Sequence, residues 1–159
     1  MLNTLLLAAA TAASLPIPLP DAATPIVAVQ AGGVQIYRCA NVAAQSAAWT
    51  LDHPAATLYR EDGSTFGIHG AGPSWTANDG SGIVADGAVP IARVAQAAAV
   101  PWLALRVKAH SGSGILGDAR YVERFDTAGG TAPSASECTS DRIGQTRAVH
   151  YSAVYQFFR

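Results

Sequence analysis

Apolar and polar positions alternate with a period of two along several stretches of this chain, and nowhere do they hold a 3.6-residue stripe for longer than a turn or two. The clearest stretch is Trp102 to His110, where Leu103, Leu105, Val107 and Ala109 alternate with Trp102, Ala104, Arg106, Lys108 and His110. A strand with one core face and one largely polar face is predicted there. Val149 to Phe157 repeats the pattern: Val149, Tyr151, Ala153, Tyr155 and Phe157 stand against His150, Ser152, Val154 and Gln156. Ala119 to Phe125 does so over a shorter run. Turn signals separate the remaining β-like segments. Pro25 to Ala31 and Val34 to Cys39 flank Gly32-Gly33, Ala55 to Arg60 and Thr65 to Gly70 flank Glu61-Asp62-Gly63-Ser64, and Pro73 to Ala77 and Gly82 to Asp86 flank Asn78-Asp79-Gly80-Ser81. Only Val94 to Val100, Ala-rich and stopped by Pro101, could form a short helix. A long Gly/Pro/Ser-containing loop runs from Thr127 to Gln145. The fold class expected is all-β, an antiparallel β-sandwich or barrel of about eight to ten strands with at most one short helix. The pattern alone does not separate sandwich from barrel.

The first twenty residues follow a different rule. An apolar run from Leu5 to Ala13 precedes Pro16, Pro18 and Pro20. It is too short for a hydrocarbon core needing about 20 apolar residues, and Thr11 and Ala13 fit a small-x-small cleavage site. Residues 1–20 therefore read as a secretory signal with a Pro-rich leader and 21–159 as a single β-domain, although no Lys or Arg precedes the run. The alternative is an Ala/Pro tail. The expected destination is secreted, periplasmic or cell-envelope, with no membrane span in the mature protein. At 159 residues one core of ordinary size is expected. Charged residues make up 13%, against roughly 25% in typical chains, so the surface must be mostly neutral. A net charge of −1 with one lysine, Lys108, and no basic run gives no footprint for nucleic acid or anionic lipid. Cys39 and Cys138 are the two cysteines. An even count in an exported chain favours one bridge between them, the alternative being two buried thiols.

Several fragments invite a chemical reading. Gly112-Ser113-Gly114-Ile115-Leu116-Gly117 spells GxGxxG with Glu137 twenty residues on, but a dinucleotide fingerprint must open a helix inside a βαβ unit. Asp118 to Asp126 alternates like a strand, so the dehydrogenase reading is rejected and a hairpin or bulge expected. The metal candidates are His53, His69, His110 and His150, with Asp79 or Asp86 as oxygen ligands. None has ligand-motif spacing, and His110 shares its strand face with Arg106 and Lys108. A hydrogen-bonded structural histidine is the bland alternative for each. His53, beside Pro54, is expected exposed in a turn. His69 stands out because Gly67, Gly70 and Gly72 let other groups approach it. Ser81, Ser111 and Ser113 lie among glycines without a GxSxG elbow, and turn chemistry explains them. Asp79, Asp86, Glu123 and Asp126 could pair as acid and base, as some pair would in any chain of this acidity. Aromatic residues on a β-scaffold could stack a ligand or simply fill the core. Trp102, opposite Leu103 and Leu105, and Trp75 are the two expected to be partly exposed.

A longer pattern runs through these fragments. Gly33-Val34-Gln35-Ile36-Tyr37-x-Cys39, Ala56-x-Leu58, Asp62-Gly63, His69-x-Ala71-Gly72-Pro73-x-Trp75 and Asp79-Gly80-Ser81 come in order. Pro101-Trp102-Leu103, His110-Ser111-Gly112-x-Gly114, Tyr121-Val122-x-Arg124, Thr127-x-Gly129-Gly130-x-x-Pro133, Cys138 and Tyr151-x-Ala153-x-Tyr155 come after them. This ordered string, from about Gln30 to Phe158, resembles the exported bacterial and fungal family DUF3455. The resemblance implies secretion, a paired cysteine set and a β-rich fold. It brings no catalytic residues, since the family's function is unknown. Some fungal members carry a malate-dehydrogenase label, which the rejected fingerprint does not support.

The leading functional expectation is a non-enzymatic binding or surface protein, with a shallow site around His69, Trp75, Trp102 and His110 for a small molecule or glycan. No cofactor is expected. The alternatives are an extracytoplasmic metal-dependent enzyme, with His69 and His110 as ligands and Asp79 or Glu123 as acid/base, and a structural or stress-related envelope protein without a ligand.

Overall fold

The computed structural model of the chain describes residues 17–20, 23–43 and 46–159. The expected signal, Leu5 to Ala13 with Thr11, Ala13 and Pro16, lies outside the described residues. Nine strands follow one another: β1 (Pro25–Ala43), β2 (Ser46–Tyr59), β3 (Thr65–Gly70), β4 (Ser74–Ala77), β5 (Gly82–Ala85), β6 (Ala92–Gln96), β7 (Ala99–Ser111), β8 (Tyr121–Gly129) and β9 (Thr146–Phe158). They form a single antiparallel sheet in the order β5-β4-β3-β2-β1-β9-β8-β7-β6, and β5 also pairs with β7. That last pairing closes the sheet on itself. β6 occupies the first half of one edge of β7, with Val94 opposite Trp102, and β5 takes the second half, with Ile83 opposite His110. The fold is thus a barrel rather than a sandwich, and closure removes most exposed strand edges.

Alternation sets the inner wall. On β1 the buried positions are Val29, Ala31, Gln35, Tyr37 and Cys39; on β9 Tyr151, Ala153, Tyr155 and Phe157 follow the alternation, and Phe158 beside them is buried too. Rows of side chains cross the strands at one level. Leu105, Val122 and Phe157 form one such row, and Trp75, His69 and Ala56 another. Phe66 stacks on Phe157 at 6.3 Å, and Trp75 meets Phe157 edge-on at 6.1 Å. One end is stoppered by the segment between β7 and β8, whose Leu116 and Ala119 are fully buried in the core cluster with Phe66, Ala77 and Ile83.

Three local expectations change. Gly32-Gly33 is not a turn, because β1 runs unbroken from Pro25 to Ala43. A Cβ on Gly33 would collide with the Ala55 carbonyl oxygen, so the glycine lets β1 and β2 close up rather than reverse. Val94 to Val100 is a β-hairpin, with Ala98 in the left-handed region at φ 54°. Seven residues are too few to hold a helix alone, whereas the free edge of β7 offers the backbone a ladder of hydrogen bonds. His53 lies inside β2, half-buried and 3.7 Å from Asp52, not in a turn. The expected hairpins at 61–64 and 78–81 are present.

The expected 127–145 loop is shorter, since β8 runs on to Gly129, and the 130–145 segment is tied down along its length. Cys39 and Cys138 are bridged, Tyr37 donates to Gly130 O at 2.6 Å, and Trp49 donates to Ser134 O at 3.1 Å. Two short 3₁₀ turns, Ala135–Glu137 and Ser140–Arg142, carry it across.

Candidate functional site

The end of the barrel away from the Leu116 stopper is open and holds a cavity of about 600 Å³, within the range of small-molecule sites. Its wall is mixed. Val100, Leu103, Leu105 and Val122 supply apolar surface, and Gln35, Tyr37, Trp75, Arg124 and Tyr155 bring polar atoms. Trp75 is 1% exposed, Tyr155 1% and Gln35 1%. Neither atom of the Gln35 amide has a hydrogen-bond partner, and nor does Trp75 Nε1. Buried donors and acceptors almost always find partners, so unmatched ones on a cavity wall mark where a ligand or water would bind.

Arg124 is the charge of this interior. Alternation along β8 points it inward with Val122, opposite Tyr155 of β9. Its Nε and Nη2 donate to Pro101 O at 3.0 and 2.9 Å, which fixes the plane of the guanidinium. The surrounding titratable groups are neutral at pH 7. Burial raises the phenols of Tyr37, Tyr151 and Tyr155 above the ordinary tyrosine value, although Arg124 pulls each the other way. Burial also lowers His69 to about 4, assisted by Arg124 and opposed by the Ser74 carbonyl. His69 is therefore uncharged, and its Nδ1–H donates to Ser74 O at 2.7 Å.

Of the residues singled out from sequence, the structure brings two together. His69 stacks face to face on Trp75 at 4.4 Å, and Tyr155 leans on both at 4.9 and 5.3 Å. Trp75 is not partly exposed as expected, because β4 turns it into the barrel. Trp102 is half-buried opposite Val94 of β6, on the face away from Leu103 and Leu105. His110 is exposed near the stoppered end, with Nε2 2.7 Å from Ala119 O. Asp79 belongs to a turn. Its Oδ1 accepts from Ser81 N and Ser81 Oγ at 2.9 and 2.6 Å, and its Oδ2 accepts from Ile115 N at 2.8 Å. These bonds, the Ser81 hydroxyl foremost, hold its carboxyl below the usual range. Among the described residues no three His, Cys, Asp or Glu side chains come close enough to hold a metal ion.

The GxGxxG fragment is the seat for that turn. Gly114 has φ 148°, and a Cβ there would collide with Asp79 Oδ2. The glycines thus make room for a carboxylate of the chain itself rather than for a pyrophosphate. Glu123 stands on the opposite side of β8 from Val122 and Arg124, fully buried with both oxygens unpartnered. Desolvation raises it to about 7. It does not face His69.

Sequence reasoning does not single out Gln35 or Arg124, and it reaches Tyr37 and Tyr155 only as members of the aromatic set that could stack a ligand, although all four lie in the ordered string from Gln30 to Phe158. The signal for Arg124 was present: alternation puts it on the same face as Val122, an arginine where the core should be. Gln35 interrupts the inward row of β1 in the same way.

No curated protein and no solved structure matches this chain. The family described as "Protein of unknown function (DUF3455)" matches residues 20–159, a span that includes every strand of the barrel and both cysteines, and the chain belongs to that family.

Proposed function

We propose that this protein is an exported, non-enzymatic binder of a small molecule, which sits in the open end of the barrel against Trp75. The observation that carries the reading is the cavity itself, with the Gln35 amide and Trp75 Nε1 buried on its wall and unbonded. Each buried polar group without a partner costs about 1–3 kcal/mol, and a ligand that satisfied them would recover part of that. The Leu116 end, by contrast, is filled by side chains. A deep barrel mouth favours a compact molecule over an extended glycan, which a shallow aromatic face would suit better. Export is supported by the leader pattern and by the Cys39–Cys138 bridge, a bond that persists in oxidising compartments.

The test is titration with the neutral fluorophore N-phenyl-1-naphthylamine, on wild type and on Leu103→Trp, which places extra bulk in the cavity. Wild type should bring a saturable rise in emission, and the variant should lose at least tenfold in affinity with its circular dichroism unchanged. Equal titrations of two folded proteins, or no saturable binding to wild type, would sink the reading.

A further inference from the structure

We infer that the ligand of this cavity is an organic acid, its carboxylate held by Arg124 and its apolar body lying on Trp75, Leu103 and Leu105. The inference rests on the binding reading above and adds the chemical class.

Arg124 carries five N–H donors, and two of its nitrogens share one acceptor, Pro101 O. The Tyr155 hydroxyl is its other hydrogen-bonding neighbour. Among the described residues no carboxylate pairs with it; Arg38 pairs with Asp52 at 2.8 Å, and His53 Nδ1 lies 3.7 Å from the same carboxylate. A cation inside a protein is normally matched by a counterion. The titratable groups that feel Arg124 are Tyr37, His69, Tyr151 and Tyr155, all neutral, so the interior of the barrel carries an uncompensated positive charge.

The rim points the same way. Arg93 and Lys108 line the mouth. Of the two acids there, Asp52 is engaged by Arg38, and Asp86 Oδ1 accepts from Ala88 N and Val89 N at 3.1 and 3.3 Å. A cleft with net positive walls concentrates anions. The unmatched groups lean the same way: on the cavity wall the indole N–H of Trp75, the Gln35 amide N–H₂ and the free guanidinium N–H groups are donors, against one unmatched acceptor, Gln35 Oε1. They call for a ligand rich in acceptors at one end. A carboxylate meets a guanidinium in a planar, two-point geometry that a point charge does not provide. The leucines and Val122 leave the rest of the molecule an apolar bed.

The experiment is calorimetric titration of the full chain at pH 7.5 with three matched pairs: benzoate and benzamide, 2-naphthoate and 2-naphthamide, decanoate and decanamide. Acetate is added as an anion without a body. At least one acid should bind tenfold or more tightly than its amide and than acetate. In Arg124→Gln that preference should shrink to within twofold, the acid losing far more affinity than its amide. The wild-type ratio decides the question by itself should the variant fail to fold. Acid and amide binding equally, or acetate binding as well as the larger acids, would overturn the inference and leave the cavity reading intact. Failure of all seven compounds, with N-phenyl-1-naphthylamine still bound, would also overturn it. Failure of that probe as well would overturn both.

Discussion

His69 and Trp75 lie ring on ring inside the barrel, 4.4 Å apart and within 11° of parallel. The stack is buried, and its imidazole resists protonation down to about pH 4. In the unfolded chain the same ring takes up its proton near pH 6.5. Between these values the unfolded state binds more protons, so stability conferred by the neutral ring is complete above pH 6.5 and falls as the pH drops toward 4. A displacement of this size is worth about 3 kcal/mol. In a Glu123→Gln background urea unfolding should show this acid-side slope, and adding His69→Phe should remove it.

Glu123 has the opposite slope. Its folded value of about 7 lies above the ordinary 4.5, so the folded state holds the proton longer. Stability from this group is lost as the pH rises from 4.5 through 7, to a ceiling of about 3 kcal/mol. Over pH 4.5 to 6.5 the two groups largely cancel. Wild type should therefore show a flat pH–stability profile there. Glu123→Gln should be more stable above pH 7, by up to about 3 kcal/mol, and should expose the histidine slope that wild type conceals.

The bridge between Cys39 and Cys138 spans a sequence separation of 99. Restricting so long a loop in the unfolded chain is worth about 4–5 kcal/mol. Thermal melts with and without a thiol reductant should differ accordingly, and Cys39→Ala/Cys138→Ala should match the reduced protein.

Asp79 holds the β4–β5 turn to the stopper. Asp79→Asn keeps the shape and removes the charge from bonds to Ser81 and Ile115. Charge-assisted bonds are stronger than neutral ones, so the variant should be less stable than wild type in urea unfolding. Hydrogen exchange at Ile115 and Leu116 should accelerate with it, and ligand binding at the far end should be unaffected.

Alternation made most of the wall legible in the sequence. Tyr151, Ala153, Tyr155 and Phe157 were assigned to one face because a strand between core and solvent separates its side chains by period two, and β9 does so from Val149 to Phe157. The candidate site was less legible, for a reason visible in Trp102. The pattern correctly set Trp102 opposite Leu103 and Leu105, but only barrel closure decides which face surrounds the cavity. Closure depends on four-residue β5 reaching the far half of β7, a long-range pairing that no local pattern encodes. Alternation marks Gln35 and Arg124 as polar residues in an inward row, but a lone polar residue there does not by itself reveal that it faces a cavity. Val94 to Val100 misled through its alanines, whose helix preference is weak beside an available strand edge.

That seam sets the mechanics of the molecule. β1, nineteen residues long, is hydrogen-bonded along most of its length to β2 on one side and β9 on the other. β4 and β5, four residues each, hold the opposite wall. The barrel is a cup with a stiff keel and a soft lip. Amides of β1 and β9 exchange with solvent only when the whole fold opens, and those of β5 through smaller fluctuations. Trp75 sits on this softer wall, so its fluorescence reports breathing of the lip long before the keel gives way.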